Sequence, residues 1–218
     1  MTNECPPPSP AAPDAGPDAG VVPVRRLRVE LEFDGTDFLG WQRQASGRTV
    51  QETVEAGLER ILGHPHTVVG AGRTDSGAHA RNMIASFATT SSMSAEDLAR
   101  SLDAVLPPDV GVLDLRDVAA AFHARRDAAW KWYRYSILRG SRRPLLRRRV
   151  WRVGGRLAEA ALEAGAAVLR GRHDFASFAN TGSPRRGTVR TIHAVRWSSE
   201  EPLLHLDVVG DGFLYKMV

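Results

Sequence analysis

One stretch of the chain gathers residues that could do chemistry: Gly70-Ala71-Gly72-Arg73-Thr74-Asp75-Ser76-Gly77-Ala78-His79-Ala80. Its small residues let other atoms approach the backbone closely, and Gly72 and Gly77 bracket a charged Arg-Thr-Asp that a plain hairpin does not require. Asp75 is the only carboxylate between Glu59 and Glu96. A solitary carboxylate beside an arginine suits a nucleophile better than a general acid. The plainer reading is an Asx-type turn in which the Asp75 side chain bonds its own backbone. The residues alone leave both open. A second group is aromatic, with Tyr133 and Tyr135 on one face of a strand and Trp132 on the other. These rings, with Trp130, either fill two sheet faces or turn the tyrosines toward a shared pocket. The seven histidines, among them His64, His66 and His173, show no zinc-ligand spacing, and one cysteine, Cys5, allows neither an internal disulfide nor a cysteine-based zinc site. No metal is expected.

Charge says what such a site would meet. The net charge is +4, yet from Ala121 to Arg196 there are 18 Lys or Arg against 4 Asp or Glu. That asymmetry points to a polyanion. Arg142, Arg143, Arg147 and Arg148 lie inside a connection from Arg139 to Arg149, and Arg185, Arg186 and Arg190 form a second run. Both are candidates for tracking phosphates, against the alternative of a solvated surface. Gln42 and Gln44 are candidates either for a nucleic-acid contact or for holding a turn.

At 218 residues, with 43% apolar and 25% charged residues, the chain is of ordinary globular composition and is expected to form one or two domains. It has neither an apolar run of membrane-spanning length nor a leader pattern at its start, so a cytosolic protein is expected. Residues 1–24 hold seven of the 13 prolines and read as a disordered tail. From Arg26 the pattern becomes regular. Leu27, Val29, Leu31 and Phe33 alternate with charged residues as in a half-buried strand, and Val50, Val54, Leu58 and Ile61 recur at helical spacing after a Thr49/Glu52 capping box. Strands near 66–72 and 82–89, a helix opened by Ser94 and Asp97 and stopped by Pro107, and a strand near 110–117 complete a β-α-β-β-α-β unit over residues 25–120. This is the ferredoxin-like arrangement that RNA-recognition folds also use. Residues 121–218 begin the same way, with strands near 129–138 and 150–153, a helix near 156–170 and strands near 188–198 and 203–210. The fold class is therefore α+β, mainly antiparallel, with two such units of which the second is incomplete.

Taken together, the motifs resemble one family. Gly72 to Ala80 resembles the signature loop of the bacterial tRNA pseudouridine synthase A family. Phe33-Asp34-Gly35-Thr36, Gly40-Trp41-Gln42-Arg43-Gln44, Thr49-Val50-Gln51, Lys131-Trp132-Tyr133-Arg134-Tyr135, Gly171-Arg172-His173-Asp174-Phe175-Ala176-Ser177-Phe178 and Gly212 to Val218 follow in the family's order. The resemblance covers about residues 26 to 218. It departs from the commonest form of the loop at Ser76 and Ala78, both small. The resemblance implies isomerisation of uridine to pseudouridine at positions 38, 39 and 40 of the tRNA anticodon arm, by a homodimer, without metal or organic cofactor. Asp75 matches the catalytic aspartate, acting at C1′ of the ribose, at C6 of the base or through a glycal. Tyr133 matches the active-site tyrosine, and Arg73 is the arginine nearest the extruded nucleotide. His79 and Asp174 are expected to make structural bonds around the site.

Two other classes compete. A non-catalytic RNA-binding protein would carry the basic-Gly-aromatic signature of RNA-recognition modules, and a metal-dependent phosphoesterase would need clustered carboxylates. Neither pattern is in the sequence. In the family an arginine follows directly after the segment matched by Phe213 to Val218, where this sequence stops. The expectation is a shortened chain lacking that arginine, the rest of a helix and a closing strand.

Overall fold

The structure, a computed structural model, describes residues 23–180 and 187–218. Most of the tail expected over 1–24, together with Cys5, Arg185 and Arg186, lies outside the described residues. The first unit runs β1 (Arg25–Phe33), α1 (Val50–Leu62), β2 (Val69–Gly70), β3 (Ala80–Thr89), α2 (Ala95–Val105) and β4 (Val110–Val118). Its sheet has the order β2-β3-β1-β4, with every pairing antiparallel. This is the ferredoxin-like order. The alternation in β1 sends Leu27, Val29, Leu31 and Phe33 into the core, where Val50, Val54 and Leu58 of α1 and Leu98 and Leu102 of α2 cover them. Burying each such side chain is worth about 1.5–3 kcal/mol, so this layer fixes both helices on the sheet.

Helix starts are set in two ways. Ser94 caps α2 as its sequence promises, its Oγ accepting the Asp97 N–H at 3.0 Å. Thr49 stands at the cap position of α1, but the expected capping box is not made, and its buried hydroxyl has no partner among the described residues. Backbone carbonyls take over that role: the Val50 and Gln51 amides donate to Gly40 and Trp41 at 3.1 and 3.0 Å. The strand expected over 66–72 shrinks to two residues. Val68 turns instead to α1, its N–H donating to the Glu55 carboxylate at 3.0 Å and its carbonyl accepting from Gln51 at 3.1 Å.

The second unit contains β5 (Lys131–Arg139), β6 (Trp151–Val153), α3 (Glu159–Leu169), β7 (Gly171–Asp174), β8 (Val189–Glu200) and β9 (Leu203–Gly210), in the sheet order β6-β5-β9-β8-β7. Strands β5, β8 and β9 and helix α3 repeat the places of β1, β2, β3 and α1. Beside β5, where β4 stands beside β1, β6 runs parallel and pairs only with Ile137–Arg139. No counterpart of α2 or β4 lies among the described residues. The second core is smaller, built on Ala166, Phe175, Ile192, Val195 and Val208, and Phe213, Leu214 and Met217 pack against it. Strand β7, which hydropathy alone does not announce, is fully exposed and extends the sheet beyond β8.

Candidate active site

Asp75 stands in the connection between β2 and β3, and that connection is seated on residues 35–41. The Trp41 amide donates to the Thr74 carbonyl at 3.1 Å, and the Gly77 amide and the Ser76 hydroxyl donate to the Phe38 carbonyl at 3.2 and 3.3 Å. The seat requires glycine twice. A Cβ at Gly35 would overlap the Ala78 carbonyl, and Gly40, at φ +102°, would place one 2.5 Å from the Thr74 carbonyl oxygen. Within the loop the Ala78 amide donates to the Asp75 main-chain carbonyl at 3.1 Å. The turn is thus closed by backbone. The Asp75 carboxylate is exposed, makes no hydrogen bond to its own backbone and has no paired cation among the described residues, so the Asx-turn reading does not hold.

The other half of the site comes from β5. Tyr133 is half-buried, its ring edge-on to Phe213 at 4.9 Å between centroids and its hydroxyl 3.4 Å from the Arg73 carbonyl, to which it donates. Burial, helped by the Asp75 charge, pushes its pKa above the usual phenol value, so the hydroxyl keeps its proton at neutral pH and remains a donor. Tyr135 shares the strand face but packs edge-on to Trp151 and does not reach the loop. Trp132, on the opposite face, donates to Asp207 at 2.8 Å, and Arg134 binds the same carboxylate through two nitrogens at 2.8 Å.

Among the expected polyanion contacts the structure distinguishes free groups from committed ones. The Arg73 side chain is exposed, and Arg142, Arg143 and Arg147 are exposed without an ion pair among the described residues. Arg148 is committed, pairing with Asp37 at 3.0 Å, and its neighbour Arg149 pairs with Asp34 at 2.8 Å. Gln44 donates to the Leu39 carbonyl at 2.9 Å and Gln42 to Gln51 at 3.0 Å, so both hold the loop after residue 38. His79 bonds within the seat of the loop, accepting from the Gly35 amide and meeting the Arg148 carbonyl, whereas Asp174 accepts the Ala176 amide at 3.0 Å at the end of β7.

The loop has a further neighbour, which the sequence offers only as the first residue of the Lys131–Tyr135 motif. Lys131 runs alongside Gly72, and burial lowers its pKa, with Arg125 and Arg190 pushing the same way and Asp211 opposing them. Lys131 therefore brings a cation beside the loop that carries Asp75. The available signal was the two-residue spacing of Lys131 and Tyr133, which puts both on one strand face. Among the described residues no group of three or more His, Cys, Asp or Glu could hold a metal ion, and no helix is long and apolar enough to cross a membrane.

One complete ferredoxin-like unit followed by a second, partial one, three helices on two mainly antiparallel sheets, is an architecture consistent with the pseudouridine synthase fold. The family model described as tRNA pseudouridine synthase matches residues 31–126 and 166–218, and the chain belongs to that family. Proteins named tRNA pseudouridine synthase A are similar over nearly the whole described chain. That of Geobacter sulfurreducens is 43% identical over 196 residues, covering 89% of this chain and 80% of the relative. Those of Citrifermentans bemidjiense and Moorella thermoacetica are also 43% identical, covering 89% and 88% of this chain and 78% and 79% of their own.

Proposed function

We propose that this chain isomerises uridine to pseudouridine in tRNA, at positions 38 to 40 of the anticodon arm, with Asp75 as the attacking carboxylate. The observation that carries the reading is the juxtaposition of an exposed, unpaired Asp75 with the Tyr133 hydroxyl bonded to the backbone of the same loop. In the reaction the C1′–N1 bond breaks and a C1′–C5 bond forms. The C5 hydrogen leaves as a proton and N1 takes one up, so no electrons are gained or lost and no redox partner is required. Asp75 acts at C1′, at C6 or through a glycal, and each route asks the same of the protein: a carboxylate held where an extruded base can meet it. A uridine in a paired arm must leave its stack to get there. Tyr133 offers a ring face, worth about 1–3 kcal/mol per stacked base. Arg73, exposed at the loop, meets the extruded nucleotide, and the exposed Arg142, Arg143 and Arg147 meet the phosphates beyond it. The protein works as a homodimer in the cytoplasm, and needs no metal.

The test is release of tritium from C5-labelled uridine in tRNA, in the presence of a chelator, with the modified positions mapped afterwards. Release that depends on Asp75 supports the proposal. Tight tRNA binding with no release at any uridine overturns it in favour of a non-catalytic RNA-binding protein.

A further inference from the structure

The arginine strap between β5 and β6 is anchored to the seat of the catalytic loop. Residues 35–41, which carry that loop through the Thr74 and Phe38 carbonyls, are capped by Asp34, whose carboxylate accepts the Thr36 amide at 3.0 Å. The same carboxylate meets Arg149 at 2.8 Å, and Asp37, one turn further, meets Arg148 at 3.0 Å. His79 closes the arrangement from the loop's far end. Its Nδ1 lies 3.2 Å from the Gly35 amide and 3.0 Å from Asp34 Oδ1, while Nε2 lies 3.2 Å from the Arg148 carbonyl. A ring protonated on Nε2 donates to that carbonyl and accepts from Gly35 at Nδ1. Three segments distant in sequence thereby meet on one imidazole.

Arg148, Arg149 and Asp37 are solvent-exposed and Asp34 is half-buried. Exposed pairs contribute little to global stability, so their consequence here is positional. The strap's remaining arginines, Arg142, Arg143 and Arg147, have no ion pair among the described residues and can meet a polyanion. One strap therefore carries cations free for phosphates and cations tied to the floor beneath Asp75.

We propose that Arg148 and Arg149 are positioning residues that, through Asp37, Asp34 and His79, hold the Asp75 loop in register with RNA bound along the strap. This rests on the reading of Asp75 as the attacking carboxylate. An RNA phosphate engaged at Arg142, Arg143 or Arg147 is thereby referenced to the reacting centre, and loosening the latch lets the carboxylate drift from the extruded nucleotide. Such misplacement lowers turnover without removing a substrate contact.

The experiment compares the full chain with the double variant Arg148→Ala/Arg149→Ala and with the charge exchange Arg148→Asp/Asp37→Arg. In the double variant kcat is expected to fall about tenfold or more, with KM and the directly measured tRNA Kd within about twofold of the parent. The Gly77 and Ala78 amides, which donate to the Phe38 and Asp75 carbonyls, are expected to exchange faster without RNA, and the charge exchange is expected to recover most of the lost kcat. A weaker Kd with a shallower salt slope and unchanged kcat would overturn the proposal, making these two arginines phosphate contacts. So would a charge exchange that recovers nothing, or unchanged exchange of the two amides. Because amide exchange is read without substrate, it judges the latch separately. A parent enzyme that forms no pseudouridine would sink the functional reading instead.

Discussion

Among the described residues, Asp75 is a loop carboxylate with no hydrogen bond or ion pair to hold the fold. Asp34 is bound by Thr36 and Arg149, Asp109 by Arg48, and Asp174 by the Ala176 amide, whereas the Asp75 side chain is left exposed on a loop that backbone bonds already close. Asp75→Asn, which keeps the shape and removes the charge, is therefore expected to abolish tritium release while stability stays within about 0.5 kcal/mol of the parent. Most tRNA affinity is expected to survive, since it resides in phosphate contacts. Turnover within tenfold of the parent would show that Asp75 is not the attacking group. Tyr133 is expected to separate into two roles. Tyr133→Phe keeps the ring against Phe213 and loses the bond to the Arg73 carbonyl, so turnover should suffer more than binding, whereas Tyr133→Leu should harm both. Equal, mild effects would place the ring in the core alone.

Among the elements, the 35–41 segment matters more than its short 3-10 turn suggests. It caps α1 with the Gly40 and Trp41 carbonyls and carries the Asp75 loop at Thr74 and Phe38. Gly40→Ala forces a Cβ onto the Thr74 carbonyl at a left-handed φ, a strain of roughly 1–3 kcal/mol that acts on both duties at once. Urea unfolding and tritium release should both register it, and a variant of parental stability and turnover would mean the loop rests elsewhere. In the second sheet Asp207 joins β5 to β9. The bond from Arg134 draws its carboxyl below the usual range against the opposing effect of burial, with Trp132 assisting. A depressed folded pKa means stability that is complete above the unfolded value of about 3.9 and is lost as pH falls through the folded one. Asp207→Asn should consequently melt below the parent at pH 7. The gap should narrow progressively as the pH drops below about 4, and a gap independent of pH would deny the charge any part.

For the whole molecule, the uneven charge becomes a statement about RNA. Binding is expected to weaken steeply with salt, and reversing Arg142, Arg143 and Arg147 should reduce the slope by about one for each phosphate that is no longer neutralised. An unchanged slope would return these arginines to the solvated surface. The Arg148 and Arg149 pairs set a boundary on that expectation, because those two cations already face Asp37 and Asp34. Counting every arginine of the strap as a phosphate ligand overstates the footprint, since an ion-paired guanidinium must first give up its carboxylate.

What the sequence by itself determined is whatever depends on neighbours close along the chain. The alternation of β1, the apolar stripe of α1, the Ser94 cap and the small-residue loop around Asp75 are local patterns, and period, capping chemistry and glycine placement are readable from a few residues at a time. The ordered motifs extended that reading to the family. Tertiary structure alone decided what distant segments do to one another. Thr49 and Glu52 have the letters of a capping box, yet carbonyls from residues 40 and 41 arrive first. Val68 has the residue type of a strand, yet a buried Glu55 takes its amide. Tyr133 and Tyr135 are equivalent by alternation, and only the place of Phe213 and the loop separates them. Arg147 and Arg148 are adjacent and identical in type, and among the described residues only the second is ion-paired, because Asp37, 111 residues away, stands opposite it. Electrostatic and hydrogen-bond partners are fixed by distance in space, to which a one-dimensional pattern carries no coordinate.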